Sequence, residues 1–178
     1  GMTSLISADI LLVKHFFDPV QAGIYSGLSL VGKVIYFFTA PIGSVMFPLI
    51  IKKHAKSESY NYIFKMAVAM VLVPSFVISV FYFLYPRFAI SFFIKNETYL
   101  SASDLLGLFG VFIAIFSLIS LFIYYFLSIK KTKVYIPVIL AALGQALLII
   151  LYHDSISTVV SICVIVSLIL LAVLSVYY

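Results

Sequence analysis

The stretch MAVAMVLVPSFVISVFYFLYP, residues 66–86, carries no charged side chain and is bracketed by Lys65 and Arg87. About 20 apolar residues in a row are enough for one helical crossing of a bilayer. Residues 105–129, 134–152 and 155–178 are also free of charge. The whole chain is 65% hydrophobic and 10% charged over 178 residues. A soluble domain of that size could not hide so much apolar surface, because a small globule shows much of its surface to water. The blocks are continuous rather than alternating, which excludes a membrane β-barrel. The fold class is therefore all-α: a polytopic membrane protein.

Charges, prolines and turn residues punctuate the chain into six expected transmembrane helices. They cover about residues 3–17, 23–50, 62–85, 102–128, 134–152 and 156 to the end. Asp18-Pro19, Lys52-Lys53-His54, Pro86-Arg87, Lys130-Lys131-Thr132-Lys133 and His153-Asp154 mark the turns. A loop over residues 87–101 holds Lys95-Asn96-Glu97. Lys52, Lys53, Lys56 and Lys65 fall on the same side as Lys130, Lys131 and Lys133. Arg87, Lys95 and Lys14 fall on the other. The lysine-rich side is expected in the cytoplasm, with both termini there and the chain integral to the plasma membrane.

The net charge of +5 sits in short loops, with no basic face that would suit nucleic acid. Trp is absent, so the 13 Tyr are the expected interfacial anchors. Residues 2–17 lack the basic start and small-residue cleavage site of a signal peptide. The one cysteine, Cys163, lies in an apolar block. Pro41 and Pro48 share one long helix and suggest a bend there; Pro137 reads as packing curvature. Gly23 and Gly27, Gly107 and Gly110, and Ala142, Gly144 and Ala146 offer small faces for close helix approach.

Function is sought in charges placed where charge is costly. Lys33 lies about 15 Å past Gly23 along its helix, deep in the membrane and among apolar neighbours. A cation there costs at least about 2.5–3.5 kcal/mol. It must face an anion on another helix or a watered cavity. One reading is contact with an anionic cargo, most naturally a phosphate. The other is a structural ion pair with Asp9 at comparable depth. Lys14 sits near its helix end and can reach headgroups. Asp104 suits a helix start. Gln145 suits an interhelical hydrogen bond more than cargo contact. No metal-binding cluster, phosphate-cradling loop or nucleophile elbow is present in the sequence, so no metal, no cofactor and no conventional enzyme are expected.

The stretches Ala8-Asp9-Ile10-Leu11-Leu12-Val13-Lys14, Gln21-Ala22-Gly23-Ile24-Tyr25-Ser26, Leu30-Val31-Gly32-Lys33-Val34-Ile35 and Met46-Phe47-Pro48 together resemble a known pattern. So do Tyr99-Leu100-Ser101-Ala102 and Leu105-Leu106. The chain resembles the second lobe of polysaccharide-biosynthesis flippases, in the multidrug/oligosaccharidyl-lipid/polysaccharide exporter superfamily. The later helices match only in hydropathy and spacing. The resemblance implies one lobe of a two-lobed transporter that moves a lipid-linked, pyrophosphate-bearing saccharide by alternating access. It implies cavity roles for Lys33 and Asp9, with Lys14 and Gln145 as further cavity candidates. It also implies a missing N-terminal lobe or partner chain, since half a cavity cannot alternate access. Residues 1–178 are then a single lobe, the C-terminal half of something longer. Rival readings are a membrane saccharide polymerase or ligase, which would want a large outer loop, and a non-catalytic subunit, which would seal Lys33 in protein. The transporter reading expects Lys33 and Asp9 to face one common polar groove.

Overall fold

The computed structural model describes residues 2–94 and 97–178. Helices α1 (Met2–Phe16) and α2 (Pro19–Gly32) form a hairpin. Asp18 makes its turn: the carboxylate accepts from the N–H groups of Val20 (2.9 Å) and Gln21 (3.0 Å). Pro19 takes the first helical position, where a missing N–H costs nothing. α2 runs into α3 (Val34–Ala55) with only Lys33 between them. Then come α4 (Asn61–Leu84), α5 (Pro86–Phe93), a 3-10 segment (Glu97–Leu105), α6 (Leu106–Ser128), a 3-10 turn (Thr132–Val134), α7 (Tyr135–Leu151) and α8 (Ile156–Tyr177). There is no strand among the described residues.

α6 is the axis of the bundle. It packs against α2, α3, α4 and α8, while α1 lies against α2, α7 and α8. In the apolar span that contains α6, 72% is buried within the protein, against 22–50% in the other long helices. The outer helices leave apolar side chains such as Phe76 (69%) on α4 and Leu140 (64%) on α7 uncovered. Such surface belongs in lipid, and the chain is an all-α, multi-pass membrane protein.

Among the described residues, five helices are long and apolar enough to cross a membrane: Val34–Ala55, Asn61–Leu84, Thr98–Ser128, Thr132–Leu151 and Ile156–Tyr177. The expected first crossing, α1, has 15 residues and falls short of the required length. The expected second helix (23–50) is two, because the chain is interrupted at Lys33. The bend expected at Pro41 and Pro48 does not interrupt α3, which holds both prolines. Pro137 falls in the first turn of α7, where backbone N–H groups have no partner in any helix. The expected loop over 87–101 contains most of α5 and the start of the 3-10 segment; Lys95 and Asn96 lie outside the described residues.

The two lysine-rich loops share one end of the bundle. The Phe64 ring at the start of α4 lies tilted against Tyr125 at the end of α6, their centroids 4.3 Å apart, and both meet Tyr178 after α8 (5.1 Å each). Lys131 lies over the Tyr177 ring at 5.4 Å. Tyrosines thus mark that end, as the lack of Trp led one to expect.

Small residues set the close approaches. A Cβ on Gly32 would run into the ring of Phe109, and one on Gly107 into that of Phe83. Gly27 receives the Tyr99 ring, whereas Gly23 and Gly144 have open space around them. Only one residue of the Gly23/Gly27 pair is therefore used in packing, and Gly144 does not mark a tight approach.

Candidate functional site

The α1–α2 hairpin brings two residues face to face. Asp9 and Tyr25 are equally far from residue 17, so an antiparallel pair folded at that point places them opposite each other. The Tyr25 hydroxyl donates to Asp9 Oδ2 at 2.7 Å, and both side chains are 0% exposed. One turn away along α1, Gln145 of α7 donates through Nε2 to the Leu5 carbonyl (3.1 Å) and to Cys163 Sγ of α8 (3.3 Å). This ties four helices together through polar groups inside an apolar bundle. Asp9 Oδ1 and Gln145 Oε1 are buried acceptors with no hydrogen-bond partner.

Along α2, Tyr25, Ser29 and Lys33 follow at intervals of four and lie one above another on a single face. Ser29 is buried and its hydroxyl has no partner. Lys33 closes this line at the junction of α2 and α3. Its N–H still bonds to Ser29 O (3.0 Å), and its carbonyl accepts from Phe37 N (3.1 Å). Tyr82 of α4 donates to the Val31 carbonyl beside the interruption at 2.7 Å. The helical ladder is therefore carried across the break with help from a neighbour, a device membrane helices use where backbone groups are freed.

Lys33 is half-buried, not sealed. Among the described residues no ion pair joins it to Asp9; the one pair within 4 Å is Lys53 with Glu58 at 3.7 Å. The reason is axial position. Asp9 is opposite Tyr25, and Lys33 is about 12 Å further along α2. The expected structural ion pair is not formed among the described residues, and Asp9, 0% exposed, does not open onto a groove shared with Lys33. Lys14 lines a cleft of about 360 Å³ with Phe17, Pro19, Ala22, Gly23 and Ser26. Gln145 makes the interhelical bonds expected of it. Asp104 stands in the 3-10 segment ahead of α6, 3.4 Å from the Ser103 hydroxyl, rather than in the first turn of that helix.

Sequence reasoning missed Tyr25 and Ser29. The symmetry of the hairpin about residue 17 signals the first, and the four-residue interval to Lys33 signals the second. No group of His, Cys, Asp and Glu that could hold a metal occurs among the described residues. No family model, curated protein or solved structure matches the chain.

Among the described residues, the Tyr25 hydroxyl is the only side chain that donates to Asp9. Tyr25→Phe should therefore lower stability by about 1–3 kcal/mol, the cost of stranding a buried polar group. In an Asp9→Leu background the same change should cost almost nothing. Unfolding in mixed detergent micelles checks this; equal losses in the two backgrounds would separate the pair.

Proposed function

We propose that this chain is a transport lobe that moves a lipid-linked, pyrophosphate-bearing saccharide across the membrane, with Lys33 meeting the phosphates. The observation that carries the reading is an ammonium group at the junction of α2 and α3, at the edge of the span Val34–Ala55, partly exposed and without a carboxylate partner among the described residues. An unpaired cation beside a membrane span carries a cost that an anion or water must offset. An anionic cargo that arrives transiently removes the cost only while bound, which is what a transport site requires. The half-exposure of Lys33 also speaks against a subunit that merely seals it.

In this reading Lys33 is the cargo contact. Asp9 and Gln145 hold α1, α2, α7 and α8 in register and do not touch the saccharide. Lys14, in its open cleft, attracts anionic headgroups on the side away from the lysine-rich loops. Alternating access needs a companion lobe, in the same polypeptide or in another. The membrane is the cytoplasmic one, and the lysine-rich end faces the cytoplasm.

The test is ligand binding by the purified protein in nanodiscs. A polyprenyl diphosphate and the matching polyprenol, each fluorescently tagged, are titrated separately. The diphosphate should bind at least about ten-fold more tightly, the effect of one or more charge-assisted hydrogen bonds. Equal affinities would remove the phosphate from the reading.

A further inference from the structure

A groove of about 330 Å³ runs between α3 and α4 near their lysine-rich ends. Its α3 wall carries Ile42, Val45 and Leu49; Met66 and Met70 stand on α4, and Met46 lies at the floor. Val45 (61%), Leu49 (46%), Met66 (50%) and Met70 (49%) are open to the surroundings. Three of the chain's four methionines line this feature, and Met adapts its shape to irregular apolar partners.

The α3 wall does not stop at Leu49. Ile42, Val45, Leu49, Lys52 and Lys56 follow at alternating intervals of three and four, which keeps them on one stripe. The stripe is apolar for two turns and cationic thereafter. Lys65 of α4 stands on the face turned away from Ile63, Met66 and Met70 and takes no part in this stripe. Glu58 is the one carboxylate in this α3–α4 loop, and it is engaged by Lys53 at 3.7 Å. Lys52 and Lys56 are exposed and face no acidic side chain within ion-pair distance among the described residues.

We propose that this groove seats one anionic glycerophospholipid of the bilayer, its acyl chain along Val45, Leu49, Met66 and Met70 and its phosphate at Lys52 and Lys56. The occupant must be apolar along two helical turns and negatively charged at one end, and charge complementarity selects a lipid over a protein helix. Lys52 is about 28 Å from Lys33 along the helix, so one phosphate cannot serve both. The seat is therefore separate from the cargo contact and stands whether or not the transport reading does.

Native mass spectrometry of the full chain, purified with equal amounts of dioleoyl phosphatidylglycerol and dioleoyl phosphatidylcholine, tests it. Each lysine near the headgroup is worth about five-fold in affinity for an anionic lipid. The wild type should retain one phosphatidylglycerol with at least about ten-fold preference. The exposed-lysine variant Lys52→Gln/Lys56→Gln should keep bound lipid but lose that preference, whereas Lys65→Gln, on the far face of α4, should leave it unchanged. Val45→Trp, which fills the groove mouth, should lose lipid of both kinds while eluting as the wild type does. The proposal is overturned if the wild type shows no headgroup preference or if neither Lys52→Gln/Lys56→Gln nor Val45→Trp changes it. It is equally overturned if Val45→Trp disperses a dimer without loss of lipid, or if polyprenyl diphosphate displaces phosphatidylglycerol mole for mole.

Discussion

Gly32→Leu should destabilise the protein by about 1–3 kcal/mol, the usual cost of overpacking a close-fitted interior. A side chain at position 32 has no room, because its first carbon would fall on the Phe109 ring. Phe109 is 0% exposed and sits on α6, the helix that every long-range contact of α2 and α3 with the bundle axis uses. The ring cannot swing outward without disturbing Tyr25, whose ring it meets edge-on at 5.9 Å, or Phe112 at 5.5 Å. Gly23→Leu on the same helix is the control: open space surrounds that position, and a change within about 0.5 kcal/mol is expected. Adding Phe109→Ala to Gly32→Leu should recover part of the loss, because the two sites share one volume. Reversible unfolding followed by circular dichroism gives all four values. A tolerated Gly32→Leu would mean that α2 does not pack on α6 as described.

Lys33→Ala should weaken binding of a polyprenyl diphosphate by about ten- to a hundred-fold, since it removes a charge-assisted contact worth about 1.5–3 kcal/mol. The same variant should be at least as stable as the wild type, because among the described residues Lys33 has no carboxylate partner to strand. That combination, lost binding with retained or increased stability, separates a cargo contact from a structural one. Were Lys33 half of a buried ion pair with Asp9, its removal would strand the carboxylate and cost about 3–5 kcal/mol. Lys33→Arg should keep most of the affinity, as the guanidinium also binds phosphate. Lys33→Glu should abolish it. Titration of the ligand and thermal unfolding of each variant measure the two halves of the prediction.

The membrane-spanning blocks were legible because hydrocarbon, charge and proline leave a one-dimensional record. Residues 62–85 and 156 onward coincide with α4 and α8 to within a residue. α5 was not legible. Its eight residues hold Arg87 and Ser91 among aromatics, so they read as a loop although Ala89 and Ile90 are buried against the bundle. The interruption at Lys33 left no mark either, since Gly-Lys fits inside a helix and the two prolines downstream drew the expectation of a bend to themselves. In the site, the cost of a charge at positions 9 and 33 was readable from composition alone. Which groups answer those charges was not. Partners across a hairpin depend on where the turn folds, and Asp9 finds a tyrosine rather than the lysine because residue 17, not residue 21, is the point of reflection.

The most direct measurement is the water accessibility of position 33 in the folded protein. Lys33→Cys is treated with a membrane-impermeant methanethiosulfonate reagent, with and without a saturating polyprenyl diphosphate; native Cys163, 0% exposed, is the unreactive background. The expected result is rapid modification that the diphosphate suppresses. A cysteine that reacts no faster than Cys163, or one that reacts equally with ligand present, would contradict a cargo-facing ammonium at this site.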